Sequence, residues 1–105
     1  MTTQLLVESR DAAQQSGRLL RAAAQLATAG IPTVVFLVDE GVRSARGSRL
    51  DLARAVRAGA SIRADKVSLA ERNIPGTQLA PGVVAASVDE ITSLLCDPDV
   101  KVVWH

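Results

Sequence analysis

The stretch Ile31-Pro32-Thr33-Val34-Val35-Phe36-Leu37-Val38-Asp39-Glu40-Gly41-Val42 decides the fold of this chain. Gly30 and Pro32 form a turn signal, Val34 to Val38 is an unbroken apolar run rich in β-branched residues, and two carboxylates and a glycine follow. A strand with one face in water alternates apolar and polar residues. An unbroken run of this length belongs to a parallel sheet covered by helices on both faces. Ligands of α/β proteins bind at the carboxyl ends of such strands, so Asp39, Glu40 and Gly41 mark where a site is expected.

The flanking sequence repeats the alternation of strand and helix. Thr3 to Glu8, centred on Leu5, Leu6 and Val7, reads as a first buried strand. Asp11, with Gln14 in capping-box spacing, opens a helix whose inner stripe is Ser16, Leu19, Leu20, Ala23, Leu26 and Ala27. Gly17 is a poor helix former and is expected where this helix backbone approaches the sheet closely. After the Arg-bearing loop from Val42 to Arg49, Ser48 and Asp51 have capping-box spacing ahead of a helix from Leu50 to Ala58, with Leu52, Ala53 and Val56 facing inward. Ala60 to Ala64 is a third strand and Ser68 to Arg72 a brief helical turn. Pro75, Gly76, Pro81 and Gly82 punctuate a loop with the composition of a mobile segment. Val83 to Ala85, a helix capped by Ser87 and Glu90 and buried through Ile91, Leu94 and Leu95, and a strand from Val100 to Trp104 complete the pattern. Strands alternating with helices over short connections predict a three-layer α/β/α sandwich with a mostly parallel central sheet of about five strands. The length of 105 residues allows one domain, 1–105, and no second.

Composition narrows the function classes. The chain is 48% hydrophobic and 22% charged with a formal net charge of +1, and Phe36 and Trp104 are its only Phe or Trp residues. A general nucleic-acid binder would show a basic excess and more stacking surface, so direct nucleic-acid binding is not expected. No apolar run approaches the length of a membrane span and no basic, apolar leader opens the sequence, so the expected location is the cytoplasm, away from the membrane. A single cysteine, Cys96, excludes an intrachain disulfide.

The residues that carry chemistry are few. Cys96 is a possible thiol nucleophile, but it falls at a helix C-terminus, where the macrodipole is negative, and Asp97 and Asp99 follow it, which disfavours a thiolate. The structural reading is preferred. Arg43, Arg46 and Arg49, with Arg54 and Arg57 beyond, are possible contacts for an anion or an acidic partner, weighed against the more usual solvated face. Asp39 and Glu40, adjacent at a strand end, point opposite ways and make a poor acid/base pair. There is no phosphate-cradling glycine pattern and no His/Cys cluster for a metal, and the serines have no histidine in the chain body to activate them. No cofactor and no independent catalytic activity are expected.

The segment Ala64-Asp65-Lys66-Val67-Ser68-Leu69-Ala70-Glu71-Arg72-Asn73-Ile74 resembles the signature of the DsrE/DsrF/DsrH family of sulfur-relay proteins. The order of elements, the central strand ending in an acidic residue before Gly41-Val42, and the last strand ending near Trp104 extend the resemblance over nearly the whole chain. In the DsrE-like branch a cysteine after the third strand receives persulfide sulfur; here the resemblance puts Asp65 at that position and Asn73 where glycine is usual. Asparagine tolerates the left-handed backbone that glycine supplies. A carboxylate cannot hold a sulfane sulfur, so the relay chemistry does not transfer to Asp65. The DsrH/TusB-like branch also lacks that cysteine and ends in a tryptophan, and this chain is similar to it at both places. That branch consists of subunits of hetero-oligomers with DsrE-like and DsrF-like partners, acting in tRNA thiolation or sulfur oxidation. The resemblance therefore implies a non-catalytic subunit or interaction protein, homo- or hetero-oligomeric, with Asp39, Glu40, Gly41, Lys66, Ser68, Arg72 and Asn73 surrounding the site. A stand-alone oligomeric binder of a small ligand or anion is the alternative, and a sulfur carrier acting through Cys96 is the third reading.

Overall fold

The computed structural model describes residues 2–11, 17–47 and 49–104, the last as backbone. In chain order the elements are β1 (Thr3–Glu8), α1 (Arg18–Thr28), β2 (Thr33–Leu37), a 3-10 helix (Asp39–Ala45), α2 (Leu50–Ala58), β3 (Ser61–Asp65), α3 (Lys66–Glu71), a 3-10 turn (Gly76–Gln78), β4 (Val83–Ala86), α4 (Val88–Leu95) and β5 (Val100–Trp104). The strands form one sheet in the order β4-β3-β2-β1-β5, and every neighbouring pair is parallel. The expected α/β sandwich is the observed fold.

Register explains how the apolar runs are used. Leu5 lies opposite Val34 and Val102, and Val7 opposite Phe36, so residues of equal parity share a face. One face contributes Leu6, Val35, Leu37, Ile62 and Ala64 to a core completed by Leu19, Leu20 and Ala23 of α1 and Leu52 and Ala55 of α2. The other contributes Leu5, Val7 and Phe36, with Ala86 of β4, and these meet Ile91 of α4. The run from Val35 to Leu37 is thus buried from both sides. No helix among the described residues is long and apolar enough to cross a membrane.

Several local expectations change. Gly17 precedes α1 and has a left-handed φ of 65°; a Cβ there would run into the Asp51 carboxylate, so the close approach is to α2 and not to the sheet. On α2, Leu52 and Ala55 are the buried residues and Ala53 is exposed, because the α1 contact centres on the preceding side of the helix. Leu95 is exposed while Ile91 is buried: α4 meets the sheet over a narrow stripe. Arg49 stands at the N-cap of α2 with no side-chain cap, and the Asp51 carboxylate turns to Arg49 and to the Leu52 amide. Ser87 does occupy the N-cap of α4 but makes no side-chain capping bond. Gln14, Ser16, Ser48 and His105 lie outside the described residues. The 75–82 loop is fastened: Arg46 and Leu79 form an antiparallel bridge and the Ala80 amide donates to the Ala45 carbonyl at 2.8 Å.

Phe36 is fully buried at the centre of the α4 face. Phe36→Ala is expected to lower unfolding stability by about 3–5 kcal/mol in chemical denaturation, the range for a large cavity in a packed core.

Candidate functional site

The carboxyl ends of β1, β2 and β3 converge on one edge of the sheet. β2 stops at Leu37; the Val38 amide then donates to the Glu8 carbonyl at 3.0 Å, and the chain turns into a 3-10 helix at Asp39, whose φ of 50° is left-handed. Asp39 and Glu40 therefore sit on a helical turn, not along an extended strand, and alternation does not set their directions. Gly41 packs its Cα against the Glu8 carbonyl, and a Cβ there would strike that backbone. A glycine is required where the ends of β1 and β2 touch.

β3 passes directly into α3 through Asp65. Its carboxylate caps the helix, accepting from the Ser68 amide at 3.0 Å and from the Ser68 hydroxyl at 2.6 Å. The same hydroxyl oxygen accepts from the Asp39 amide at 2.9 Å, which joins the start of α3 to the end of β2. Ser68 is buried, so this junction is shielded from water. Outside it, Glu40 accepts from Arg72 Nε at 2.9 Å and from Arg43 Nε at 2.6 Å, and Arg72 also reaches the Ser68 carbonyl at 3.3 Å. The hydrogen bonds from Arg43 and then Arg72 hold the Glu40 carboxyl below its ordinary range. Asn73, just after α3, has a φ of 56°, the left-handed conformation expected of it.

Six of the expected residues, Asp39, Glu40, Gly41, Asp65, Ser68 and Arg72, thus come together. Lys66 and Asn73 lie instead on an adjoining open groove of about 570 Å³ bordered by Ile74, Pro75 and Ala85. Arg43, Arg46 and Arg49 line a different open groove of about 520 Å³ with Asp11 and Gln78. Two of those three arginines already hold carboxylates, Arg43 through Glu40 and Arg49 through Asp51 at 2.8 Å. Cys96 is exposed at the C-cap of α4. Because α4 runs from the carboxyl end of β4 back to the amino end of β5, this thiol lies at the opposite edge of the sheet from Asp65.

One participant was not singled out from the sequence. Glu8 is buried at the end of β1, its Oε1 accepting from the Arg10 amide at 2.9 Å and its carbonyl holding Val38. Strand parity carried the signal, since Glu8 shares its face with Leu6 and so points toward the larger core.

Two carboxylates of this constellation, Asp65 and Glu40, already accept from neighbours in the chain. Asp65 serves a helix cap and Glu40 two guanidinium groups; neither is presented as a free base. Among the described residues no group of three His, Cys, Asp or Glu side chains could hold a metal ion.

No protein-family model and no curated protein sequence matches the chain. Solved structures do. The crystal structure of the ychN protein from E. coli is similar over all of both chains, with a TM-score of 0.81 at 18% identity. So is the structure of MTH1491, a protein of unknown function from Methanobacterium thermoautotrophicum, with a TM-score of 0.85 at 17% identity over all of both chains. The chain has a DsrE/DsrF-like fold. At these identities the likeness reaches the DsrE/DsrF-like architecture and stops there.

Two measurements test the site's internal bonds. Asp65→Ala removes the cap and leaves the buried Ser68 hydroxyl without its acceptor, and is expected to cost about 2–4 kcal/mol of unfolding stability, against a few tenths for an ordinary surface change. For Glu40 and Asp51 the folded-state carboxyl is held below its ordinary value, by Arg43 and Arg72 in one case and Arg49 in the other. Their contribution is therefore complete above the unfolded-state value and is lost as pH falls through the folded-state value. Urea titrations across the acidic range should show a shallower loss of stability in Glu40→Gln/Asp51→Asn than in the wild type; identical curves would mean that these pairs add nothing.

Proposed function

We propose that this protein is a non-catalytic subunit or interaction protein of a sulfur-relay system, closest to the cysteine-lacking DsrH/TusB-like branch, assembled with DsrE/DsrF-like subunits. The observation that carries this reading is the use made of Asp65. A relay protein needs a thiolate that attacks the outer sulfur of a donor persulfide, takes that sulfur as its own persulfide and releases the donor as a thiolate. The residue at the start of α3 is a carboxylate consumed in capping that helix and gripping Ser68, and the chain's one thiol is at the far edge of the sheet. The fold shared with the two solved structures and the resemblance of the 64–74 segment support the family frame, and the missing cysteine at Asp65 with Trp104 at the end of the last strand supports the branch.

In this reading the loop from Val42 to Arg49 and the segment from Asp65 to Gln78 carry partner contacts. The same segments are braced by Glu40, Arg43, Arg72 and the Arg46–Leu79 bridge. A braced surface is already in its bound shape, which lowers the entropy lost on association.

Incubation with a cysteine desulfurase and cysteine, followed by intact mass measurement, should show no added sulfur on the wild type, and Cys96→Ser should bind partners as the wild type does. Asp65→Cys would place a thiol beside Lys66 and near Arg72, a cationic setting that favours thiolate, and is expected to load one sulfur. A one-sulfur adduct on wild-type Cys96, lost in Cys96→Ser, would overturn the reading in favour of a carrier. The native complex recovered from the source cell should contain a DsrE/DsrF-like subunit; a strict monomer with no partner would leave the small-ligand binder.

A further inference from the structure

The two helical layers of the sandwich carry opposite charge. On one face of the sheet, α1 and α2 present Arg18, Arg21, Arg54 and Arg57, all exposed. The one acid in these two helices, Asp51, is tied to Arg49. The adjoining Arg46 is also exposed. On the opposite face, α4 and the turn after it, residues 87–99, present Asp89, Glu90, Asp97 and Asp99 and contain no Lys or Arg. Arg63, reaching from β3, approaches this acidic layer, at 3.9 Å from Glu90. A formal net charge of +1 therefore conceals a molecule with a basic side and an acidic side.

Each layer also leaves large apolar side chains in water. Leu50 at the start of α2 is 63% exposed, beside Arg21 and Arg54 in an open cavity of about 530 Å³. Val88 and Leu95 of α4 are 60% and 45% exposed. They are seven residues apart, two helical turns, and so share one side of α4, next to its carboxylates.

We propose that these two faces are complementary docking surfaces for copies of this chain, the arginine face of α1 and α2 on one copy meeting the acidic α4 face of the next. Charge complementarity selects a second copy as the occupant, because each molecule supplies both signs and two like faces would repel. The surfaces lie on opposite sides of the sheet, so the contact is heterologous: each copy keeps one unused face, and assembly goes on to a closed ring or an open stack instead of stopping at a two-fold dimer. The apolar residues anchor the contact, and the exposed charges steer it and make it salt-dependent. This inference does not depend on the relay reading or on the carboxyl-edge contacts proposed there.

Sedimentation velocity on the intact protein is the test. The wild type should associate with rising concentration at about 20 mM salt and dissociate at about 0.5 M, where charges are screened within a few ångströms. Arg54→Glu/Arg57→Glu, with its basic face inverted, and Asp89→Lys/Asp99→Lys, with its acidic face inverted, should each be monomeric alone at low salt. Mixed in equal amounts they should associate again and pass beyond a one-to-one dimer, because every contact between the two variants, the native pair of faces and the charge-swapped pair alike, brings opposite signs together, whereas each variant alone offers only like signs. Circular dichroism checks that both variants are folded; if a charge reversal unfolds, the neutral Arg→Gln or Asp→Asn pair replaces it with the same expected loss. A wild type that stays monomeric at low salt, a variant that associates alone as well as the wild type, or a mixture that stays monomeric would each overturn the proposal. Recovery of a DsrE/DsrF-like complex alongside any of these would leave the proposed function standing.

Discussion

A parallel sheet must be covered on both faces, and the rest of this structure follows from how unequally that requirement is met. The crossovers β1-α1-β2 and β2-α2-β3 lay two helices side by side on one face. The return from β4, at one edge, to β5, at the other, sends α4 across the opposite face by itself. Eight residues of helix cover that face, and the fully buried ring of Phe36 does much of the filling. Ala23 of α1 and Ala55 of α2 are both fully buried in the core on the thicker side. Strand order therefore decides where the packing is deep and where large apolar residues such as Val88 are left near water.

At the carboxyl edge, architecture has taken over groups that chemistry would need. Ser68 joins two elements by a hydroxyl that donates to Asp65 and accepts from the Asp39 amide. Glu40 gathers Arg43 from its own 3-10 helix and Arg72 from the end of α3. A thiol at position 65 could not cap α3 as a carboxylate does, so the presence of aspartate is matched to its structural task. The same bonds make the edge a rigid surface, which suits recognition better than turnover.

Much of the fold was legible in residue pattern because burial on two faces leaves an unmistakable run, Val34 to Val38, and because Gly30, Pro32 and Gly59 punctuate the elements. The left-handed turn at Asn73 was legible for the same local reason, since few other side chains tolerate that backbone. What local pattern could not supply was contact between distant segments. Gly17 reads as a helix residue until Asp51 of α2 is placed against it. Ala53 and Ala55 are chemically alike, and only the crossing of α1 and α2 decides which is buried. Of the site, Asp65, Ser68 and Arg72 are grouped by the family resemblance of the 64–74 segment, whereas the joining of Ser68 to Asp39 across 29 residues is a tertiary fact. Glu8 went unmarked because a carboxylate at a strand end is ordinarily solvated, and its burial depends on the 3-10 helix that folds over it.

The register of β5 has a bearing on how the molecule is built. Thr3 pairs with Val100 and Val7 with Trp104, so one whole side of β1 is completed by a strand almost the full chain length away. During synthesis that side of β1 stays an open hydrogen-bonding edge, next to Leu5 and Val7, until residues 100–104 have left the ribosome tunnel. Pairing at such separation forms late and slowly, and an unpaired strand edge is a template for the wrong chain. Copies that have not yet added β5 are therefore most prone to cross-pair at that side of β1.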